Sequence, residues 1–113
     1  MKTEINGSVL AVYLSGELDH HYASEIRDKL DSVFERSDCR HIIFEFSKVS
    51  FMDSSGIGMV MGRYKNAAKR GGKVAVAGLN DNVERLYALS GLQKIAALYA
   101  TLHEAGQALE GGA

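Results

Sequence analysis

The stretch Ser8-Val9-Leu10-Ala11-Val12-Tyr13-Leu14 is apolar on both of its alternating faces. Val9, Ala11 and Tyr13 lie on one face, and Leu10, Val12 and Leu14 on the other. Successive side chains of a strand point to opposite sides, so this pattern marks a central strand covered on both sides or nearly so. Upstream, Thr3–Ile5 is a second β-rich run. Asn6-Gly7 separates the two and suits a type I′ hairpin, in which both central residues need positive φ.

Working downstream, helical and strand periodicities alternate. Asp19 stands where an N-cap belongs, ahead of Tyr22, Ile26, Leu30 and Val33/Phe34 at helical spacing. His41–Phe46 alternates through Ile42, Phe44 and Phe46 and reads as a strand. A second helix carries Ile57, Val60, Met61, Tyr64 and Ala68 and stops at Gly71-Gly72. Lys73–Ala77 is a short apolar strand. Asn80 or Asp81 caps a third helix with Val83, Leu86 and Tyr87 inward and Gly91 just past its end. Ala96–Tyr99 reads as a final edge strand, and Thr101-Leu102-His103-Glu104 as a capping box opening a last helix through Leu109. Glu110-Gly111-Gly112-Ala113 is expected to fray. The order ββαβαβα(β)α predicts an α/β fold: one domain with its core over about residues 3–109, a mostly parallel four- to five-stranded sheet, an antiparallel N-terminal edge strand and about four helices.

Composition narrows the function classes. The 113 residues carry a formal net charge of −1, from 13 basic and 14 acidic side chains. No basic surface is therefore expected to replace counterions, and no nucleic-acid partner is expected. The longest apolar runs fall far short of the ~20 residues that cross a bilayer, so no membrane partner is expected either. Met1–Asn6 lacks the apolar core of a signal peptide. Cys39 is the only cysteine, which fits a reducing cytoplasm and reads as a small filler before a strand.

One segment could carry chemistry. Phe51-Met52-Asp53-Ser54-Ser55-Gly56-Ile57-Gly58 joins a parallel strand and its loop to the second helix, at the strand end where open α/β sheets place their sites. Ser54 or Ser55 is the natural N-cap, close to unpaired N–H groups and the positive end of the helix dipole. The serine can be a simple cap, with Gly56 and Gly58 permitting tight packing. The alternative is a phosphate acceptor, since the helix start tolerates the charge and Asp53 adds to the local negative field. Catalysis is disfavoured. The G-x-S-x-G elbow is missing, and spacing ties none of His20, His21, His41 and His103 to Ser54. Gly71-Gly72-Lys73 is no phosphate loop. His20-His21 offers no third metal ligand, so no metal or other cofactor is expected. Both histidines read as surface or first-turn residues. Gly62-Arg63-Tyr64-Lys65 reads as one core tyrosine flanked by solvated cations.

The Ser47–Gly58 stretch, with its Phe-Met-Asp-Ser-Ser-Gly-x-Gly core, resembles the STAS domain of anti-sigma factor antagonists. Gly16-Glu17-Leu18-Asp19-His20-His21, Arg40-His41-Ile42, Gly62-Arg63-Tyr64-Lys65 and Ser90-Gly91-Leu92-Gln93-Lys94-Ile95 extend the likeness and point to the sporulation branch of that family. The resemblance implies a cytoplasmic partner-switching protein and not an enzyme. Its implied partners are an ATP-binding anti-sigma factor serine kinase, bound by the unphosphorylated form with release of the sporulation sigma factor, and a PP2C-type phosphatase. It further implies Ser54 as the phosphorylation site, Asp53, Ser55, Gly56 and Ile57 as its docking surround, and Asp19 as a second contact. A general-stress sigma antagonist or another STAS signalling scaffold is the alternative within the same family.

Overall fold

A computed structural model of the chain describes residues 1–78 and 80–111. Among them are the strands β1 (Lys2–Asn6), β2 (Val9–Leu18), β3 (His41–Met52), β4 (Val74–Ala77) and β5 (Ala96–Tyr99). The helices are α1 (His20–Arg36), α2 (Ser54–Lys69), α3 (Asp81–Ser90) and α4 (Leu102–Gly111), with a 3₁₀ turn at Leu92–Lys94 that the sequence reading lacked. The strands form one sheet in the order β1-β2-β3-β4-β5, antiparallel between β1 and β2 and parallel elsewhere.

The two-sided apolar pattern of β2 has its cause in the packing. Leu10, Val12 and Leu14 join Ile26, Leu30 and Phe34 of α1, Ile57 and Val60 of α2, and Val83 and Tyr87 of α3 in the main core. Val9 faces the other way, with Ile43, Ala75 and Ala77, under Ala105 and Leu109 of α4. Three helices thus cover one face and a single helix the other. The small residues Ala75 and Ala77 of β4 lie beneath α4, whereas Val74 and Val76 face the larger core. On α2 the buried alanine is Ala67, not Ala68, which is exposed.

Two expectations at strand ends are corrected. The hairpin turn is Gly7-Ser8, because Asn6 pairs with Val9; Gly7 has φ 60° and, among the described residues, no non-glycine residue has positive φ. Positive φ at the first central position alone is the type II′ pattern, so the turn is not the type I′ expected from Asn6-Gly7. Strand β3 runs to Met52 rather than stopping at Phe46. Tyr13 pairs with Glu45 but Ser15 with Lys48, and Gly16 pairs with Val49 but Glu17 with Phe51. Each step inserts one extra residue in β3, and such bulges shift the alternation of faces. Phe44, Phe46, Val49 and Met52 all reach the main core in consequence, although their spacing is no longer two. At the other end of the chain, Glu110 and Gly111 continue α4 instead of fraying, while Gly112 and Ala113 lie outside the described residues.

At the other end of β3 from the bulges, His41 is buried and its Nδ1 accepts the Lys73 N–H at 2.9 Å. Burial pushes its pKa below the ordinary 6.5, Arg40 adds to the shift and Glu110 opposes it. The unfolded chain therefore binds a proton near that pH that the native state refuses, and stability falls as pH drops below about 6.5. His41→Asn keeps an acceptor near the Lys73 N–H without titrating there. The drop in urea midpoint from about pH 7.5 to about pH 5.5 should be smaller in this variant than in wild type.

Candidate functional site

Leu18 and Met52 are register partners at the carboxyl ends of β2 and β3, so the residues that follow them emerge side by side. Each chain turns directly into a helix. Asp19 caps α1, its Oδ1 accepting the Tyr22 N–H at 2.9 Å. Asp53 caps α2, its Oδ1 accepting the Ser55 N–H at 2.8 Å, while its carbonyl receives the Gly56 and Ile57 N–H groups. The N-cap of α2 is thus Asp53 and not Ser54 or Ser55. Its carboxylate competes better for the orphan donors, and Ser54 becomes the first residue inside the helix. The strand order never reverses, so the sheet has no switch-point crevice, and the site is an exposed edge rather than a pocket.

The structure divides the expected site residues by depth. Ser54 is exposed; Asp19, Asp53 and Ser55 are half-buried. Gly56 and Ile57 are buried, and Ile57 belongs to the main core, so both support this surface from beneath and do not line it. The two glycines also separate. A Cβ at Gly56 would lie 2.5 Å from Met52 Cγ and 3.0 Å from Leu18 Cδ2, which marks a close-packing position. Gly58 is exposed and a Cβ there would meet nothing within 4 Å. Gly58→Ala should accordingly stabilise α2 by ~0.5–1 kcal/mol, read as a higher urea midpoint at unchanged slope.

His20, the first residue of α1, places Nδ1 3.4 Å from Ser55 Oγ. The sequence offered no spacing to link them; only the pairing of β2 with β3 does so. His20 is exposed, and among the described residues no carboxylate orients its other nitrogen, so the pair lacks the third member of a nucleophilic triad. His21 faces outward and meets Glu25 at 3.2 Å. Phe51, 49% exposed beside Asp53, adds an apolar ring to the same edge. Its exposure was hidden in the sequence, because the bulge at Ser50 turns it out of the core.

Arg63 departs most from the sequence reading. It is 8% exposed, with Nε 2.9 Å from Asp31 Oδ1, whereas Tyr64 is only half-buried. Burial pushes the guanidinium pKa below the ordinary arginine value, and Asp31 pulls the other way. No periodicity rule announces a buried arginine, because its aliphatic stem packs like an apolar residue.

The profile of the STAS domain matches residues 1–105. The chain is 43% identical, over 88% of its length and 85% of the relative's, to an anti-sigma F factor antagonist of Paenibacillus polymyxa. It superposes on a solved structure of the anti-sigma factor antagonist SpoIIAA in its unphosphorylated form with a TM-score of 0.86. That match has 32% identity and covers 97% of this chain and 96% of the other. The phosphorylated form of the Bacillus cell fate determinant SpoIIAA matches with a TM-score of 0.72 and 31% identity, over 92% of this chain and 94% of the other. A five-stranded mixed sheet, helices that start from adjoining strands at Asp19 and Asp53, and the matched profile lead to one conclusion: the chain belongs to the STAS domain family.

Proposed function

We propose that this chain is an anti-sigma factor antagonist of the sporulation type whose docking on an anti-sigma factor is switched by phosphorylation of Ser54. The observation that carries the reading is the exposure of Ser54 at the start of α2, with no role in capping it. A serine that holds nothing in place can be modified without loss of the helix. The unmodified surface of Asp19, Asp53, Ser54 and Ser55 docks on an ATP-binding serine kinase that otherwise holds the sigma factor. That kinase phosphorylates Ser54, docking is lost, and a PP2C-type phosphatase restores it. The protein works in the cytoplasm as a binding partner rather than a catalyst. Among the described residues no helix is long and apolar enough to cross a membrane.

Likeness to the unphosphorylated and phosphorylated forms of SpoIIAA, each over more than nine-tenths of this chain, supports a switch that changes the surface while keeping the fold. The likeness to the Paenibacillus polymyxa relative supports the F-type partner over a general-stress one. Intact-mass analysis after incubation with the partner kinase and ATP tests the site. One added phosphate, mapped to Ser54 and lost in Ser54→Ala, is expected; a phosphate on Ser55 or Thr101 would overturn the assignment.

A further inference from the structure

Beside this edge, between the first turns of α1 and the N-terminal half of α2, lies an open cleft of about 210 Å³. Its polar lining consists of His20, Ser24, Arg27, Ser55 and Arg63, every one a hydrogen-bond donor, and no carboxylate lines it. Asp31 approaches Arg63 Nε but off the N–H axis, so neither Nε nor Nη1 makes a hydrogen bond within the described residues. Arg27 Nε donates to Asp28 at 3.1 Å on the surface. Nε and Nη1 of Arg63 are almost sealed from solvent, so the Arg63 nitrogen left to face the cleft is Nη2, which also makes no hydrogen bond within the described residues. A buried guanidinium so placed is costly to a fold unless an acceptor comes from elsewhere. We propose that this cleft is a binding site for a single phosphate-type oxyanion, clasped by Arg63 and Arg27 and completed by Ser24, Ser55 and His20.

The size decides between kinds of ligand. Small-molecule sites start at roughly 300 Å³, so a nucleoside does not fit, whereas one tetrahedral anion does. Planar guanidinium groups match phosphate oxygens in pairs, which an ammonium cannot do. Ser54 does not line the cleft, so the phosphate comes from solution rather than from that side chain. Bound there, it sits against Ser55 and Gly58 in the opening turns of α2, and adds negative charge beside Asp53.

Titration of the unmodified full chain with inorganic phosphate at constant ionic strength, followed by amide and arginine Nε–H resonances, tests the site. Saturable shifts at Ser55, Gly58 and Arg63 are expected, with affinity on the order of millimolar, and sulfate should compete. Arg63→Lys should weaken binding by about tenfold, since charge is kept and the fork is lost. Arg27 is half-exposed, so Arg27→Gln folds independently of that result and should weaken binding by a similar factor. Shifts that stay linear without saturating, unchanged affinity in Arg27→Gln, or acetate binding as tightly as phosphate would each overturn the proposal.

Discussion

If Ser54 is the switch proposed above, Ser54→Asp should bind the anti-sigma kinase about 100-fold more weakly than wild type, with Ser54→Ala remaining within a few-fold. The size of the effect follows from the place of Ser54. It is exposed at the first position of α2, and Asp53 next to it already carries a negative charge. That carboxylate and its own carbonyl take up the Ser55, Gly56 and Ile57 N–H groups, which leaves few donors to neutralise a further anion. A phosphoryl group would bring about −1.5 to −2 charges to this spot. Across a desolvated interface, added like charge costs several kcal/mol, and every ~1.4 kcal/mol is a factor of ten. Aspartate supplies only part of the phosphate charge, so the phosphorylated protein should bind more weakly still.

The same variant separates a surface switch from a conformational one. A negative charge in the first turn favours the helix dipole by ~0.3–1 kcal/mol, so Ser54→Asp should melt at or slightly above the wild-type temperature. Binding measured with ADP or ATP present, alongside melting, decides the matter. Wild-type affinity in Ser54→Asp would show that charge at this position is not the switch. Lost affinity with lowered melting would make the effect one of folding instead.

Gly72→Ala should destabilise the domain by roughly 3 kcal/mol or more, which is a large share of a typical ~5–15 kcal/mol total. Helix α2 ends in a Schellman motif: the Gly71 N–H donates to the Ala68 carbonyl at 3.0 Å and the Gly72 N–H to the Ala67 carbonyl at 2.8 Å. Gly71 supplies the left-handed residue, with φ 72°. Gly72 has a different task. A Cβ there would overlap the Arg40 carbonyl, and this obstacle is backbone that cannot rotate away. The clash lies where the chain enters β4 against the start of β3, next to the bond from the Ile42 N–H to the Lys73 carbonyl at 3.1 Å. Thermal melting should fall by roughly 10 °C or more. Gly62→Ala is the matched control: it sits inside α2 with nothing within 4 Å of a Cβ and should raise stability slightly. A melting temperature for Gly72→Ala within about 2 °C of wild type would show that Arg40 moves aside at little cost.

Much of this architecture was legible residue by residue. The apolar run from Val9 to Leu14 reported a strand covered on both faces, because strand period and burial act on neighbouring residues. Asp19 was readable as a cap for the same reason, and so was Asn80 as one of two candidates with Asp81: each accepts an N–H three residues ahead. The element order and the final strand Ala96–Tyr99 followed from local patterns too. The Asp-Ser-Ser-Gly turn located the candidate site at a strand-to-helix junction, and Ser54 does stand there.

What local pattern could not decide were the outcomes of competition between distant groups. Register between β1 and β2 moved the hairpin turn from Asn6-Gly7 to Gly7-Ser8. Two bulges, visible only against β2, carried β3 on to Met52 and turned Phe51 outward. Asp53 rather than a serine won the cap of α2, which frees Ser54 for another use. The pairing of Leu18 with Met52 brought His20 to Ser55, and the packing of α1 on α2 buried Arg63 beside Asp31. From its sequence the chain declares its elements and its serine, because those rest on backbone preference and side-chain period. The neighbours of the adjoining Ser55, and the cleft it lines, depend on which strands and helices lie together, because residues over thirty positions apart meet only through tertiary packing.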